Sequence, residues 1–260
     1  MEKSNLLQGK VAFITGGAQG IGKAVAKSFI KHGGKAILAD CDQTKLEKTV
    51  SELGNCAEGT KLDVVDEIAT ESIAKKAFEI FGAVTTVIPN AGVLLLKHGI
   101  DTSASEFRKV IDVNLTGSFI TSTIFAREMI QNNVDGRIIM TSSLFGLRGG
   151  KENSAYSASK FGMVGLMQCL AAELADKKIL VNCICPGQME TDMLNKLFLD
   201  RAEITGTTEE EIREKLTSRI PTKKLGNLDD LAGTYIYLSS ELSQYVTGQA
   251  ITVDGGWSIG

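Results

Sequence analysis

The chain has 260 residues, and its 28 Lys and Arg against 31 Asp and Glu leave a formal charge of −3, which provides no basic surface for nucleic acid or another polyanion. Hydrophobic residues at 43% and charged residues at 23% exclude a disordered chain and supply a core, and the length suits one large α/β domain or two small ones. Residues 1–10 are polar with no apolar run ending in a cleavage site, and no stretch reaches the roughly 18 apolar residues of a bilayer span, so a cytoplasmic protein without membrane contact is expected.

Short apolar runs alternate with amphipathic segments throughout, the pattern of repeated βα units on a parallel sheet. A strand over 11–15 leads into Thr15-Gly16-Gly17-Ala18-Gln19-Gly20-Ile21-Gly22 and a helix over 21–31. Spaced glycines between a strand and a helix N-terminus allow a tight turn and close approach of backbone N–H groups to a phosphate. The next strand, 35–39, ends at Asp40, eighteen positions after Gly22, where a dinucleotide fold places an acid on the adenosine ribose hydroxyls. A carboxylate there repels a 2′-phosphate, which favours NAD over NADP; the alternative, that Asp40 only caps the helix over 44–53, is weakened because Asp42 is better placed for capping.

Further along, strands are expected over 59–63, 84–89, 136–142, 179–185 and 250–253, with helices over 67–81, 104–113, 116–131, 156–175 and 228–239. Three prolines and no low-complexity linker give no boundary, so one domain, 1–260, is expected. The exception to compactness is 192–222, where charged runs such as Glu209-Glu210-Glu211 lie between apolar residues; it reads as a substrate lid or as a solvated excursion. The five cysteines form no C-x-x-C pair, and His32 and His98 form no ligand pair, so no metal is expected and a reducing compartment is.

At the start of the helix over 156–175, Tyr156 and Lys160 stand four apart and so share one face, where an ammonium stabilises a phenolate. With this pair in place, the chain resembles the short-chain dehydrogenase/reductase family from Gly9 to Val253-Asp254-Gly255-Gly256. The T-G-x-x-x-G-x-G loop matches Thr15 to Gly22, Y-x-x-x-K matches Tyr156 to Lys160, the serine matches Ser143 and the asparagine matches Asn114. The P-G motif with its following threonine matches Pro186, Gly187 and Thr191.

The resemblance implies a Rossmann-type, doubly wound parallel sheet of about seven strands with helices on both faces. It implies Tyr156 as general acid/base, Lys160 lowering its pKa and holding the nicotinamide ribose, Ser143 bonding the substrate oxygen and Asn114 positioning a water for a proton relay. Gly16, Gln19, Gly20, Ile21, Gly22, Asp40, Asp63, Val64, Asn90, Ala91 and Gly92 are the implied contacts of the cofactor's phosphates and adenosine side, and Pro186, Gly187, Met189 and Thr191 those of its nicotinamide end. Read without the resemblance, Asn114 could simply cap the helix after it. One departure is Pro89-Asn90-Ala91-Gly92 where the family has N-N-A-G; the proline removes a backbone donor, and a local change in strand support is expected.

The activity implied is NAD(H)-dependent interconversion of a secondary alcohol and its ketone by a homotetramer. The alternatives are an NADP-dependent 3-oxoacyl-thioester reductase and a non-catalytic dinucleotide-binding regulator. Near the site, Leu94, Leu95, Leu144, Phe145, Met193 and Leu197 favour an apolar substrate, while Arg148 suits a carboxylate or phosphate.

Overall fold

The structure, a computed structural model, describes residues 5–259. In chain order the elements are β1 (Val11–Thr15), α1 (Gly20–Lys31), β2 (Lys35–Asp40), α2 (Gln43–Leu53), β3 (Ala57–Lys61), α3 (Glu67–Phe81), β4 (Thr86–Ile88) and α4 (Ala104–Ile111). There follow α5 (Gly117–Gln131), β5 (Gly136–Thr141), α6 (Ser154–Leu174), β6 (Ile179–Pro186), α7 (Asp192–Thr205), α8 (Glu209–Thr217), α9 (Leu228–Ser239) and β7 (Ala250–Val253). The seven strands form one parallel sheet in the order β3-β2-β1-β4-β5-β6-β7.

Alternate strand residues serve the two faces, as the pleat requires. Phe13, Ile37, Val87, Ile138, Met140 and Val181 pack against α3, α5 and α6, whereas Ala12, Ile14, Leu38, Ile88, Ile139 and Ile184 pack against α1, α2 and α9. A third, smaller cluster joins Leu144, Leu194, Phe198, Ile220, Leu225 and Trp257, beneath the two helices that occupy most of 192–222. Among the described residues, no helix is long and apolar enough to cross a membrane.

The order places the chain's reversal between β1 and β4, with later strands added on one side and earlier ones on the other. Loops leaving the carboxyl ends of β1 and β4 diverge there and open a crevice, the place where such sheets bind ligands.

Several boundaries shift by one or two residues from the sequence expectation, and three of the shifts have a physical cause. The third strand lies at 57–61 rather than 59–63, because this edge strand is largely exposed and the buried Leu62 and Val64, which give the apolar signal, belong to the loop beyond it. The fourth is only Thr86–Ile88; Pro89 lies past its end, yet its carbonyl still accepts the Thr141 N–H at 3.0 Å. The helices expected over 104–113 and 116–131 are joined by a π-helical turn, Asp112–Thr116, which widens the backbone at Asn114.

Candidate active site

The glycine loop is shaped from both sides. Thr15 Oγ1 accepts the Asn90 and Ala91 N–H groups at 3.0 and 3.1 Å, and Asn90 Nδ2 donates to the Thr15 and Gly16 carbonyls. This clamp ties the β1 loop to the β4 loop next to Pro89. A Cβ on Gly22 would collide with the Gly16 carbonyl, so α1 can begin there only with glycine. Gly20, at φ +54°, faces open space.

Six other helices, α2, α3, α4, α7, α8 and α9, carry an N-cap side chain that accepts from their first turn, but α1 has none: the Gln19 side chain makes no cap bond. Orphan N–H groups at a helix start beside an open glycine suit the pyrophosphate of a dinucleotide. The residues therefore fit that cofactor.

Asp40 closes the loop from the side. Its Oδ2 accepts the Ala18 N–H at 3.0 Å and its Oδ1 the Asp42 N–H at 3.1 Å, while Asp42 caps α2 through Lys45 N. The capping alternative for Asp40 thus fails, and its carboxylate stands at the end of β2. Thr49, on α2, braces the same loop by donating to the Ala18 carbonyl at 2.7 Å. Asp63 is exposed and accepts the Val65 N–H, whereas Val64 is buried against Gly117.

On the other side of the crevice, Ser143 follows β5 and Tyr156 lies in the first turn of α6. Lys160, one turn on, is almost wholly buried; its Nζ donates to the Thr141 carbonyl at 2.7 Å and lies 5.6 Å from the centre of the Tyr156 ring. Burial lowers the lysine to about 8 from its ordinary value near 10.5. Burial likewise pushes the Tyr156 phenol up, and the group acting in the other direction is the Ser143 hydroxyl hydrogen-bonded to it. Phe145 stands edge-on to the Tyr156 ring, 6.5 Å between centres.

Asn114 is fully buried and caps no helix. Its Oδ1 accepts the Val93 N–H, and its Nδ2 donates to the Val93 carbonyl and to Ser159 Oγ, which in turn donates to the Tyr156 carbonyl at 2.7 Å. Gly92 lies between these groups: a Cβ there would meet Asn114 Oδ1 at 3.2 Å and Lys160 Nζ at 3.7 Å. Four sequence-selected residues, Asn114, Ser143, Tyr156 and Lys160, are thus brought to one crevice.

The nicotinamide-end candidates are more mixed. Gly187 donates to the Val253 carbonyl, Met189 is buried in the core and its backbone bridges Gly226, and Thr191 Oγ1 caps α7 by accepting the Leu194 N–H. The Met193 side chain lies outside the described residues. Ser159 and Thr141 were not selected from sequence, and Thr15 only as the first position of the matched glycine loop; Ser159 stands inside Tyr156-Ser157-Ala158-Ser159-Lys160 and Thr141 at a strand end. Among the described residues no group of three His, Cys, Asp or Glu is placed to hold a metal ion.

The family model described as short chain dehydrogenase matches residues 10–202, from β1 into α7. The chain belongs to the short-chain dehydrogenase/reductase family. Its relatives within that family include the 3-oxoacyl-[acyl-carrier-protein] reductase FabG of Aquifex aeolicus, 32% identical over 96% of this chain and 98% of that one. The L-rhamnose 1-dehydrogenase (NAD(P)(+)) of Azotobacter vinelandii is 32% identical over 96% of this chain and 97% of its own. Among solved structures, levodione reductase superposes with a TM-score of 0.91 at 28% identity, covering 97% of this chain and 98% of the other. Sorbitol-6-phosphate 2-dehydrogenase SrlD of Erwinia amylovora gives 0.90 at 31% identity, over 95% and 98%. An oxidoreductase of this family, acting on CH–OH groups with a nicotinamide dinucleotide, follows from these matches.

Proposed function

We propose that the protein interconverts a secondary alcohol and its ketone with NAD(H), using Tyr156 as general acid/base. The observation that carries this reading is the convergence of Ser143, Tyr156 and Lys160 on the crevice that also holds the uncapped start of α1. The dinucleotide, when bound, supplies or accepts the hydride. Backbone groups of Gly16, Gln19, Gly20, Ile21 and Gly22 hold its pyrophosphate; Asp40 holds the adenosine ribose, and Asp63 and Val64 border the adenine. Asn90, Ala91 and Gly92 line the middle of the cofactor, with Pro186, Gly187, Thr191 and the Met189 backbone at the nicotinamide end.

Ser143 donates to the substrate oxygen and Tyr156 gives or takes the proton at that atom. The Lys160 ammonium favours the phenolate and the bound ribose. Both Asn114 amide donors are committed to Val93 and Ser159, so Asn114 acts as a positioning residue, holding Ser159 and through it the Tyr156 backbone. Helices α7 and α8 form a lid: Leu194 and Phe198 pack on Leu144, next to Ser143.

Asp40 supports NAD, because its carboxylate repels a 2′-phosphate. A second reading, an NADP-dependent 3-oxoacyl-thioester reductase, is favoured by the relatives that bear that name and opposed by Asp40. The exposed Phe119 and Phe161 around a shallow apolar cavity support a homotetramer, and five free cysteines, two of them buried, suit a reducing, cytoplasmic compartment.

The test is nicotinamide absorbance over time with a panel of secondary alcohols and ketones, with NAD(H) and NADP(H) in parallel. Turnover with NAD(H) that falls roughly 10²–10⁴-fold in Tyr156→Phe, with cofactor binding retained, supports the reading. Turnover confined to NADP(H) overturns the part given to Asp40, and an inert protein that still binds the dinucleotide points to a regulator.

A further inference from the structure

Beyond the crevice, the protein has a cavity of about 400 Å³ lined by Arg148, Ser218, Arg219, Pro221, Lys223 and Trp257. Three of its six walls are cationic and, among the described residues, none is acidic. Nor does any of the three make an ion pair among the described residues; the salt bridges of the region run instead between Arg213 and Glu190 or Glu209, and between Arg201 and Glu152. Like charges gathered around one cavity repel each other, and an anion placed between them relieves that repulsion.

The walls are held in place. The Arg219 guanidinium stacks over the Trp257 ring at 5.0 Å, and Lys223, in the left-handed region at φ 55°, donates from Nζ to the Ser218 carbonyl at 2.6 Å. A non-glycine residue there is uncommon and is kept only by surrounding structure. Trp257, only 9% exposed, packs with Ile220, Leu225 and Leu144 and so fixes the floor.

A short stretch of chain and one buried cluster connect the cavity to Ser143. Arg148 is five residues after Ser143, so their Cα atoms are separated by at most about 18 Å; the 3₁₀ turn Leu144–Gly146 between them shortens that span. Leu144, the residue after Ser143, belongs to the same buried cluster as Trp257. A small molecule with its reacting carbon at Ser143 and Tyr156 and an anionic group at its far end therefore has both ends served by one short segment.

We infer that this cavity is an anion subsite that takes the carboxylate or phosphate of the substrate, with Arg148 and Arg219 as its recognising groups. Guanidinium forks match both oxyanions, and Lys223 adds a third charge. The inference rests on the oxidoreductase reading for the reaction at the far end, but the binding itself does not depend on turnover. It departs from the wholly apolar substrate that the leucines near the site suggest.

Trp257 is the only tryptophan in the chain, so selective tryptophan excitation reports on this cavity alone. At constant ionic strength, titration with inorganic phosphate and with acetate is expected to change Trp257 emission saturably, with one of the two tighter, and the Arg148→Met/Arg219→Met double variant to weaken the response about tenfold or more. Turnover is then compared for matched ketones, levulinate against butanone and dihydroxyacetone phosphate against dihydroxyacetone. The carboxylate or the phosphate member is expected to be preferred about tenfold in kcat/KM, and the double variant to lose that preference while butanone and dihydroxyacetone are unaffected. No saturable change in emission, or one that persists in the double variant, overturns the subsite. Saturable binding with no preference between matched ketones overturns its role in substrate selection. Saturable binding without turnover of any ketone instead counts against the oxidoreductase reading and leaves an anion site.

Discussion

Asn114 donates to Ser159 Oγ at 3.0 Å across 45 positions of sequence, and Ser159 passes the constraint on by donating to the Tyr156 carbonyl. The same carboxamide holds both backbone groups of Val93, in the segment after β4. One buried side chain thereby fixes the start of α6 relative to the cofactor crevice.

Asn114→Leu is expected to cost about 2–4 kcal/mol, because it strands the Val93 N–H and carbonyl and the Ser159 hydroxyl together. Ser159→Ala removes both the Asn114–Ser159 bond and the Ser159–Tyr156 bond and is expected to cost about 1–2 kcal/mol. Denaturant unfolding of both single variants and the double variant measures the coupling, which is expected at about 0.5–1 kcal/mol. Additive losses would show that the two residues act independently. In turnover, Asn114→Leu is expected to lower kcat more than it raises KM, since the displaced group is the proposed proton donor, Tyr156.

The depressed pKa of Lys160 makes a stability prediction with a definite sign. The unfolded chain binds the lysine proton up to its ordinary pKa near 10.5, whereas the folded protein releases it above about 8. Between these values the unfolded state holds more protons, so folded stability rises with pH through this window and is lost as pH falls toward about 8. Compared with Lys160→Met, which lacks the proton, the wild type is expected to gain roughly 3 kcal/mol from pH 8 to 10.5, and the difference to be flat below pH 8. Unfolding midpoints of both proteins over this range measure it; a difference independent of pH would show that the lysine titrates normally.

Asp40 has two duties that a single substitution can separate. Asp40→Asn keeps an oxygen for the Ala18 N–H, the 3.0 Å bond that shapes the glycine loop, removes the negative charge and gives up the second oxygen that accepts the Asp42 N–H. If charge alone excludes a 2′-phosphate, the ratio of kcat/KM with NADP to that with NAD is expected to rise about tenfold, with a stability loss of about 0.5–1 kcal/mol from the one N–H bond given up. Asp40→Ala removes both, and is expected to add a loss of about 1 kcal/mol in stability. An unchanged cofactor ratio in Asp40→Asn would remove the argument for NAD.

Most of the fold was legible because a parallel sheet, buried on both faces, writes its strands as apolar runs and its helices as periodic ones. The exceptions have physical causes. The exposed edge strand β3 carries no apolar run, and the π turn at Asp112–Thr116 depends on a buried hydrogen-bond partner that local sequence does not reveal. The site was legible where spacing encodes geometry: Tyr156 and Lys160 share a helix face, and the glycines sit at a strand-to-helix turn. It was not legible where partners are distant in sequence. The Lys160–Thr141 and Asn114–Ser159 bonds need the fold before they exist, and so does the union of Arg148, Arg219 and Trp257 around one cavity.

The apolar run Phe161-Gly162-Met163-Val164-Gly165-Leu166-Met167 of α6 is divided between helix-on-sheet packing and an open face. Met163 and Met167 are fully buried against the sheet, while Phe161 is 45% exposed and Gly162 and Leu166 line a cavity of about 310 Å³ with Leu115, Thr116 and Phe119. Phe119 on α5 is 46% exposed beside it. Exposed Phe119 in the wall of an apolar hollow and exposed Phe161, next in sequence to its Gly162, form a surface that water covers poorly, and a second copy turned by a twofold axis would present the same face in return. Phe161→Glu places a charge on that exposed face without disturbing Met163 or Met167. Sedimentation velocity is expected to show a tetramer in the wild type and dimers or monomers in Phe161→Glu, with the helical content retained. A variant that sediments as the wild type does would place the contact between copies on another face and leave α6 with the sheet alone as its partner.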